Sequence, residues 1–313
     1  MKKIIISCFL LTITTFGSAE VWRPFSDDSP WNQPIKSTDK VAPNSDEQIA
    51  YINEHFKEKS LLPFGECRLK ASIAEWSIPV YYIDSTSDSI KKIEVPAHNS
   101  WGKDLKAPIP PYAKPTAAED ASLAIVDKKA KKSWEFYEIR GEYPNYTSGY
   151  GRETDLAGKG VITGGSSRES GVPLVAGLIL PEEIKAGKIE HALVFSFDAR
   201  DGYDEFIFPA TQGTDNDSTN ASKAMPMGTR LQLKPDVDIS NFPKGTQVVL
   251  EALKKYGMYL VDENDSKTMN IYFQSNGNWD GIFDSDDIEA LNRIKASDFR
   301  VINYVEDKNK TEE

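Results

Sequence analysis

A mainly β fold is predicted for this chain: an antiparallel β-sandwich, jelly-roll-like, with a few peripheral helices. Three observations carry the prediction. Short segments rich in β-branched and aromatic residues recur from Ile78 onward, clusters of Gly, Pro, Asn and Asp separate them, and few segments have helical spacing. No repeat of fixed period interrupts the chain, which reads as one domain over residues 20–305.

Taken in order, the chain opens with a leader. Lys2 and Lys3 precede an apolar run from Ile4 to Phe16, and Gly17-Ser18-Ala19 supplies the small residues of a cleavage site. This is the pattern of a secretory signal peptide over residues 1–19, and the run is too short for a membrane anchor. The expected location is therefore periplasmic or extracellular, with no membrane insertion. A Pro-rich arm follows (Pro24, Pro30, Pro34, Pro43), with Phe25 and Trp31 as the residues that pin it to the body. Ile49, Ile52 and Phe56, behind Ser45 as cap, predict a helix over 46–59.

Strands are expected at Ile78–Ile83, Ile90–Val95, Ser122–Val126, Ser133–Ile139, His191–Phe197, Phe206–Pro209 and Arg230–Leu233, with Asp127–Lys132 as a hairpin turn. Three further helices are expected. Pro181–Ala186 carries Pro at its first position and acids in its first turn. Thr246–Tyr256 presents Val249, Leu250 and Leu253 on one face before Gly257, and Ser285–Lys295 presents Ile288, Leu291 and Ile294. Residues 306–313 read as a charged tail.

Composition narrows the function. The net charge is −11, and more negative without Lys2 and Lys3, which disfavours nucleic acid and anionic lipid as partners. With Cys8 in the leader, Cys67 is the one remaining cysteine, so no intramolecular disulfide is available. It reads as a buried structural residue. His55, His98 and His191 are the only histidines and are widely spaced, which argues against a His-rich metal site.

The densest stretch of chemistry runs from Gly164 to Asp265. It contains the polar loop Gly164–Gly171, then His191 at the start of a core strand, where it would share a face with Leu193 and Phe195. A lone strand histidine is more often structural than catalytic; a neutral imidazole there could still move a proton near pH 7. Asp198–Glu205 is an acidic turn. Arg230 could hold a substrate carboxylate or make a structural ion pair. Hydrolysis of a glycosidic bond needs two carboxyl groups about 5–9 Å apart, and the acids in or beside predicted strands include Asp120, Glu135, Glu138 and Asp262. Glu135 and Glu138 would face opposite sides of a strand. Among the six Trp residues, Trp101 and Trp279 fall in polar loops, where an exposed ring can stack on a sugar.

Asn276, Asn278, Asp280, Asp284 and Asp287 follow a calcium-loop spacing with Gly281 at the turn position. The pattern has Asn for Asp at its first position and Asp for Glu at its last, so it is a weak match, and no cofactor is expected beyond a possible calcium ion. Asp284 serves equally as a helix cap.

Several motifs occur together: Ser29-Pro30-Trp31-Asn32, Ser170-Gly171-Val172-Pro173-Leu174, Gly187-Lys188-Ile189-Glu190-His191-Ala192-Leu193, Pro226-Met227-Gly228-Thr229-Arg230-Leu231 and Ala252–Met258. Over most of the chain they resemble a set of secreted bacterial proteins. The resemblance implies that His191, Arg230 and the segment Tyr256–Asp262 belong to a shared framework, and it transfers no catalytic residue. Those relatives carry Asp-Arg-His in place of Asp120-Ala121-Ser122 and a histidine in place of Gln212.

The leading expectation is a secreted carbohydrate-active enzyme, a glycoside hydrolase whose partner is a polysaccharide or oligosaccharide. Asp120, Glu138 and His191 are its expected catalytic residues; Arg230, Tyr256, Trp101 and Asp262 are expected to bind substrate. A polysaccharide lyase using Tyr256 or His191 as base is the alternative enzyme. A carbohydrate-binding or envelope-associated module is the alternative without catalysis.

Overall fold

The computed structural model describes residues 21–59, 65–86, 90–198, 206–213 and 223–303. The expected leader, the charged tail and residues 199–205 of the acidic turn lie outside the described residues.

Two sheets carry the fold. The larger has six strands in the order β1 (Leu69–Ser72), β13 (Met269–Tyr272), β10 (Leu193–Ser196), β12 (Met258–Asp262), β11 (Arg230–Leu233) and β14 (Phe299–Val301). The smaller has four: β2 (Val80–Ile83), β5 (Leu123–Asp127), β6 (Lys132–Tyr137) and β9 (Tyr150–Asp155). Two short hairpins complete the strands, β3 (Ile93–Val95) with β4 (Leu105–Ala107) and β7 (Arg140–Glu142) with β8 (Asn145–Thr147). The helices are α1 (Ser45–Lys59), α2 (Pro181–Ala186), α3 (Lys244–Lys255) and α4 (Ser285–Leu291). The chain is thus mainly β with few helices.

Strand alternation sorts the side chains into layers. On β10, Leu193 and Phe195 join Leu250 and Leu253 of α3 and Ile52 and Phe56 of α1 in one core. Val194 points the other way and meets Ala124 and Val126 of β5, together with Tyr259 and Val261 of β12 and Tyr272 of β13. The opposite face of β5 (Leu123, Ile125) packs with Trp134 and Phe136 of β6 under the β3–β4 hairpin. Helices, large sheet, small sheet and hairpin therefore form successive layers, each interface filled by one parity of the strands.

Pairing is mixed rather than antiparallel throughout. β1 runs parallel to β13, β10 to β12 and β2 to β5, while the remaining named pairs are antiparallel. Parallel neighbours need long crossovers, and the return from β10 to β12 includes β11 and α3. Strand ends follow local chemistry. β2 starts at Val80 rather than Ile78 because Pro79 has no N–H to donate, although Ile78 still bridges Gln274. The strand expected at Phe206–Pro209 reduces to a bridge between Phe206 and Met227. α4 stops at Leu291, and Ile294 packs into the core from the following turn. Among the described residues, no helix is long and apolar enough to cross a membrane.

The N-terminal arm is tied down as expected. Trp31 and Phe25 are buried, Trp31 Nε1 donates to Gly160 O at 3.2 Å, and Asn32 Nδ2 donates to Pro24 O at 3.0 Å. Cys67 is buried, and burial pushes its thiol up to about 12, which suits a structural residue.

Candidate functional site

A cavity of about 790 Å³ opens where the end of β6 and the turn before β5 in the small sheet meet β1, β10, β12 and β13 of the large one. Its lining includes Asp120, Tyr137, Arg168, Asp262 and Tyr272, with Trp76 and Trp101 among its exposed residues. The volume falls in the range of pockets that take a drug-sized ligand, about 300–1,000 Å³.

Asp262 ends β12 opposite Ser196, at the point where the ladder between β10 and β12 slips by one residue after Phe195. The slip turns the strand end toward the cavity. Asp262 is half-buried, and its carboxyl is pushed up to about 7. Burial is the main cause. Arg168 opposes it, and the negative charges of Asp120 and Glu263 add to it.

Asp120 sits in the turn before β5. That turn is fastened on both sides: Glu138 N donates to Asp120 O at 2.7 Å, and Ser122 N donates to Thr116 Oγ1 at 3.0 Å. Ala121 and Glu138 both hold left-handed backbone, with φ of 37° and 49°. Strain of this kind collects at binding and catalytic sites. The Asp120 carboxyl is raised by burial and by the charges of Glu119 and Glu138, against a pull from Arg140. Beside it, the Tyr137 phenol is pushed up to about 12 by burial and by Asp120, Glu138 and Asp262. Tyr272 is raised as well, again chiefly by burial.

Arg168 comes from the loop 164–171. Gly165 has φ of 101°, and a Cβ there would lie 2.6 Å from Tyr150 Oη, so the loop needs glycine at this point. A buried pair behind it fixes the loop: Arg152 Nη2 to Glu135 Oε1 at 2.9 Å, with Arg152 Nη1 donating to Gly165 O and Leu174 N to Glu135 Oε2, each at 2.7 Å. Arg168 is itself buried. Its Nη1 donates to Pro173 O at 3.2 Å and Ala176 O at 3.3 Å, and its guanidinium lies 4.9 Å from the centre of the Tyr272 ring. Among the described residues, its Nε and Nη2 find no hydrogen-bond partner.

Of the residues singled out from the sequence, the cavity brings together Asp120, Asp262 and Trp101. Glu138, His191, Arg230, Tyr256 and Trp279 lie outside its lining. Glu138 falls one residue past β6 and faces His98 at 3.3 Å and Arg140 at 3.8 Å. His191 is buried, with Nε2 2.8 Å from Glu183 Oε1 and Nδ1 2.9 Å from Ala192 O. Arg230 clamps the arm, donating to Tyr256 O through Nε (2.8 Å) and Nη2 (2.6 Å) and to Gln33 O at 2.7 Å. Tyr256 is buried in the inter-sheet core. Trp279, partly buried, packs against the core 5.3 Å from Phe273 and donates to Gln274 O, so its ring is committed to the fold.

The calcium-loop oxygens serve the protein itself. Asn276 Oδ1 accepts from Val80 N, Asn278 Oδ1 from Asp280 N, and Asp284 caps α4. Asp287 Oδ1 accepts from Thr246 N and Oγ1. Among the described residues, no group of three or more His, Cys, Asp or Glu side chains is placed to hold a metal ion.

Sequence reasoning missed Arg168, Tyr137, Tyr272 and Trp76. The signal for Arg168 was present: it is the one basic residue in a Gly/Ser-rich loop that leads into an apolar run. No family model matches the chain, and comparison with the curated proteins and with the solved structures likewise finds no match.

Proposed function

We propose that this protein is an exported glycan-cleaving hydrolase that works in the cavity between the two sheets, periplasmic or extracellular by virtue of its leader. The observation that carries the reading is the Asp262 carboxyl, pushed up to about 7 and facing the same cavity as Asp120. Two carboxyl groups whose environments separate their proton affinities are the arrangement that glycoside hydrolysis uses. In this reading Asp262 gives its proton to the glycosidic oxygen as the bond to carbon breaks. Asp120, ionised, supplies the second carboxylate, as base to a water or as nucleophile. Asp262 thus takes the place beside Asp120 that the sequence offered to Glu138, and the exposed rings of Trp76 and Trp101 give sugar faces something to stack on. The layering of the two sheets over a shared core supports a sandwich-like frame for this site.

A lyase reading is less well supported, because it needs a phenol or imidazole that gives up its proton. Tyr137 and Tyr272 hold theirs more tightly than a free tyrosine does, and His191 is committed to Glu183. The test is to incubate the protein with neutral and uronate polysaccharides, reading new reducing ends and the absorbance of unsaturated sugars. Reducing ends without absorbance, lost in D262N, support the hydrolase. Absorbance overturns it in favour of a lyase, and silence across the panel favours a binding module.

A further inference from the structure

Trp76 and Trp101 reach the cavity from different parts of the fold. Trp101 is 56% exposed and stacks on Tyr150 with ring centres 6.3 Å apart and planes 11° from parallel; Tyr137 lies 6.2 Å away. Tyr137 in turn feels the charges of Asp120 and Asp262, so Trp101 belongs to the acid end of the cavity. Trp76 is 52% exposed and has φ of 56°, backbone that a residue with a bulky side chain rarely adopts. The connection that carries it is fastened at both ends to the end of β13: Phe273 N donates to Ser72 O, Ser77 Oγ donates to Phe273 O, and Ser275 N donates to Ile78 O. A large ring is thus held out in strained backbone by a rigid frame.

Strand order sets the separation. β10 lies between β13 and β12, and β1 lies beyond β13. At about 4.8 Å per strand, the root of the Trp76 loop stands about 10–14 Å from the strand that ends in Asp262. One sugar ring does not cover that distance, whereas a chain of linked rings does. Ser72, Asn264, Asn270 and Gln212 give the same cavity a polar wall, in which the amides of Asn264 and Asn270 are held by Ser196, Ser266 and Thr268. A ligand with flat apolar faces and hydroxyl edges matches such a wall.

We propose that the cavity is a multi-subsite groove for a glycan chain, with one sugar on Trp101 beside the acids and another, several units along, on Trp76. This rests on the glycan reading above and adds to it that the chain is gripped over several sugars.

The test is a length series of neutral oligosaccharides, dimer to hexamer, of the cello-, xylo-, malto- and chito- types. Binding is read by tryptophan fluorescence and cleavage by product sizes. The hexamer of the recognised series is expected to bind at least tenfold more tightly than the dimer. In W76A that gain is lost, and W76F, which keeps a ring, recovers part of it; circular dichroism checks that both variants fold. Length-independent binding, no binding in any series, or a full gain retained in W76A would overturn the proposal. Graded binding without cleavage would leave the groove standing and remove the hydrolase. Cleavage without dependence on Trp76 would do the reverse.

Discussion

The negative charge of Asp120 helps to hold the proton on Asp262 across the cavity. Burial does most of that work and Arg168 opposes it, so the Asp262 carboxyl stands at about 7. Replacing it should therefore change two properties in opposite directions. D262N is expected to lower cleavage by about 10²–10⁴-fold, the range for loss of a general acid. The same change is expected to stabilise the fold at pH 8 by roughly 1–3 kcal/mol. A carboxyl whose folded value is raised stabilises while protonated, and that contribution is lost as pH rises through about 7. Thermal melts of both proteins at pH 5 and pH 8 check the sign: the gap should open at the higher pH.

Activity should follow the same two groups. The rate is expected to fall above about 7 as Asp262 loses its proton. It should also fall at low pH, with a midpoint above the ordinary aspartate value of about 3.9, because the Asp120 carboxyl is raised. A pH profile of kcat/KM on the most responsive glycan reads both limbs, and a rate still climbing at pH 9 would remove Asp262 from the acid role.

His191 and Glu183 predict a different pH dependence, one of stability. Burial works against the imidazolium, but the charge and hydrogen bond of Glu183 and the bond to Ala192 O raise the His191 value above 6.5. Its stabilisation is therefore complete below 6.5 and is lost as pH rises through the folded value. Breaking this buried pair with H191Q should cost on the order of 3–5 kcal/mol. Melting temperatures from pH 5 to pH 9 should fall less steeply in the variant than in the parent.

Arg230 holds the N-terminal arm. R230A removes donors to Gln33 O and Tyr256 O and should cost about 1–3 kcal/mol. R230K should recover little of that, since a lysine cannot reproduce the guanidinium fork. Limited proteolysis is the check, with faster cutting expected near Gln33 in both variants.

Chelation should change little. Because Asn276, Asn278, Asp284 and Asp287 spend oxygens on the protein's own N–H groups and the Thr246 hydroxyl, EDTA is expected to move the melting temperature by less than about 1 °C. A large drop, restored by calcium, would contradict this.

Much of the fold was legible because burial writes a period into the chain. The core strands at Leu123–Asp127, Lys132–Tyr137 and Leu193–Ser196 and the helix at Lys244–Lys255 sit close to where their apolar spacing puts them. Tyr150–Asp155 was hidden, because its Arg152 and Thr154 are buried polar residues and break the apolar alternation. Strand order was not legible, since parallel pairs such as β10 with β12 depend on crossovers that no local pattern encodes. The site divided along the same line. Asp120, Asp262 and Trp101 could be named as chemistry-bearing residues, but their meeting in one cavity is a product of the two-sheet stacking. His191 and Arg230 drew attention through the very motifs that make them structural: His191 pairs with the buried Glu183, and Arg230 bonds the carbonyls of Gln33 in the arm and Tyr256 at the end of α3.

Asp262 holds its proton far above the ordinary aspartate range and loses it only near pH 7, and carboxyl-carbon NMR of the protein is the measurement to make. The Asp262 signal would be assigned by its absence from D262N and followed from pH 3 to pH 9. A midpoint near 7 that moves lower in D120N is expected. A midpoint near the ordinary aspartate value of about 3.9, indifferent to Asp120, would contradict it.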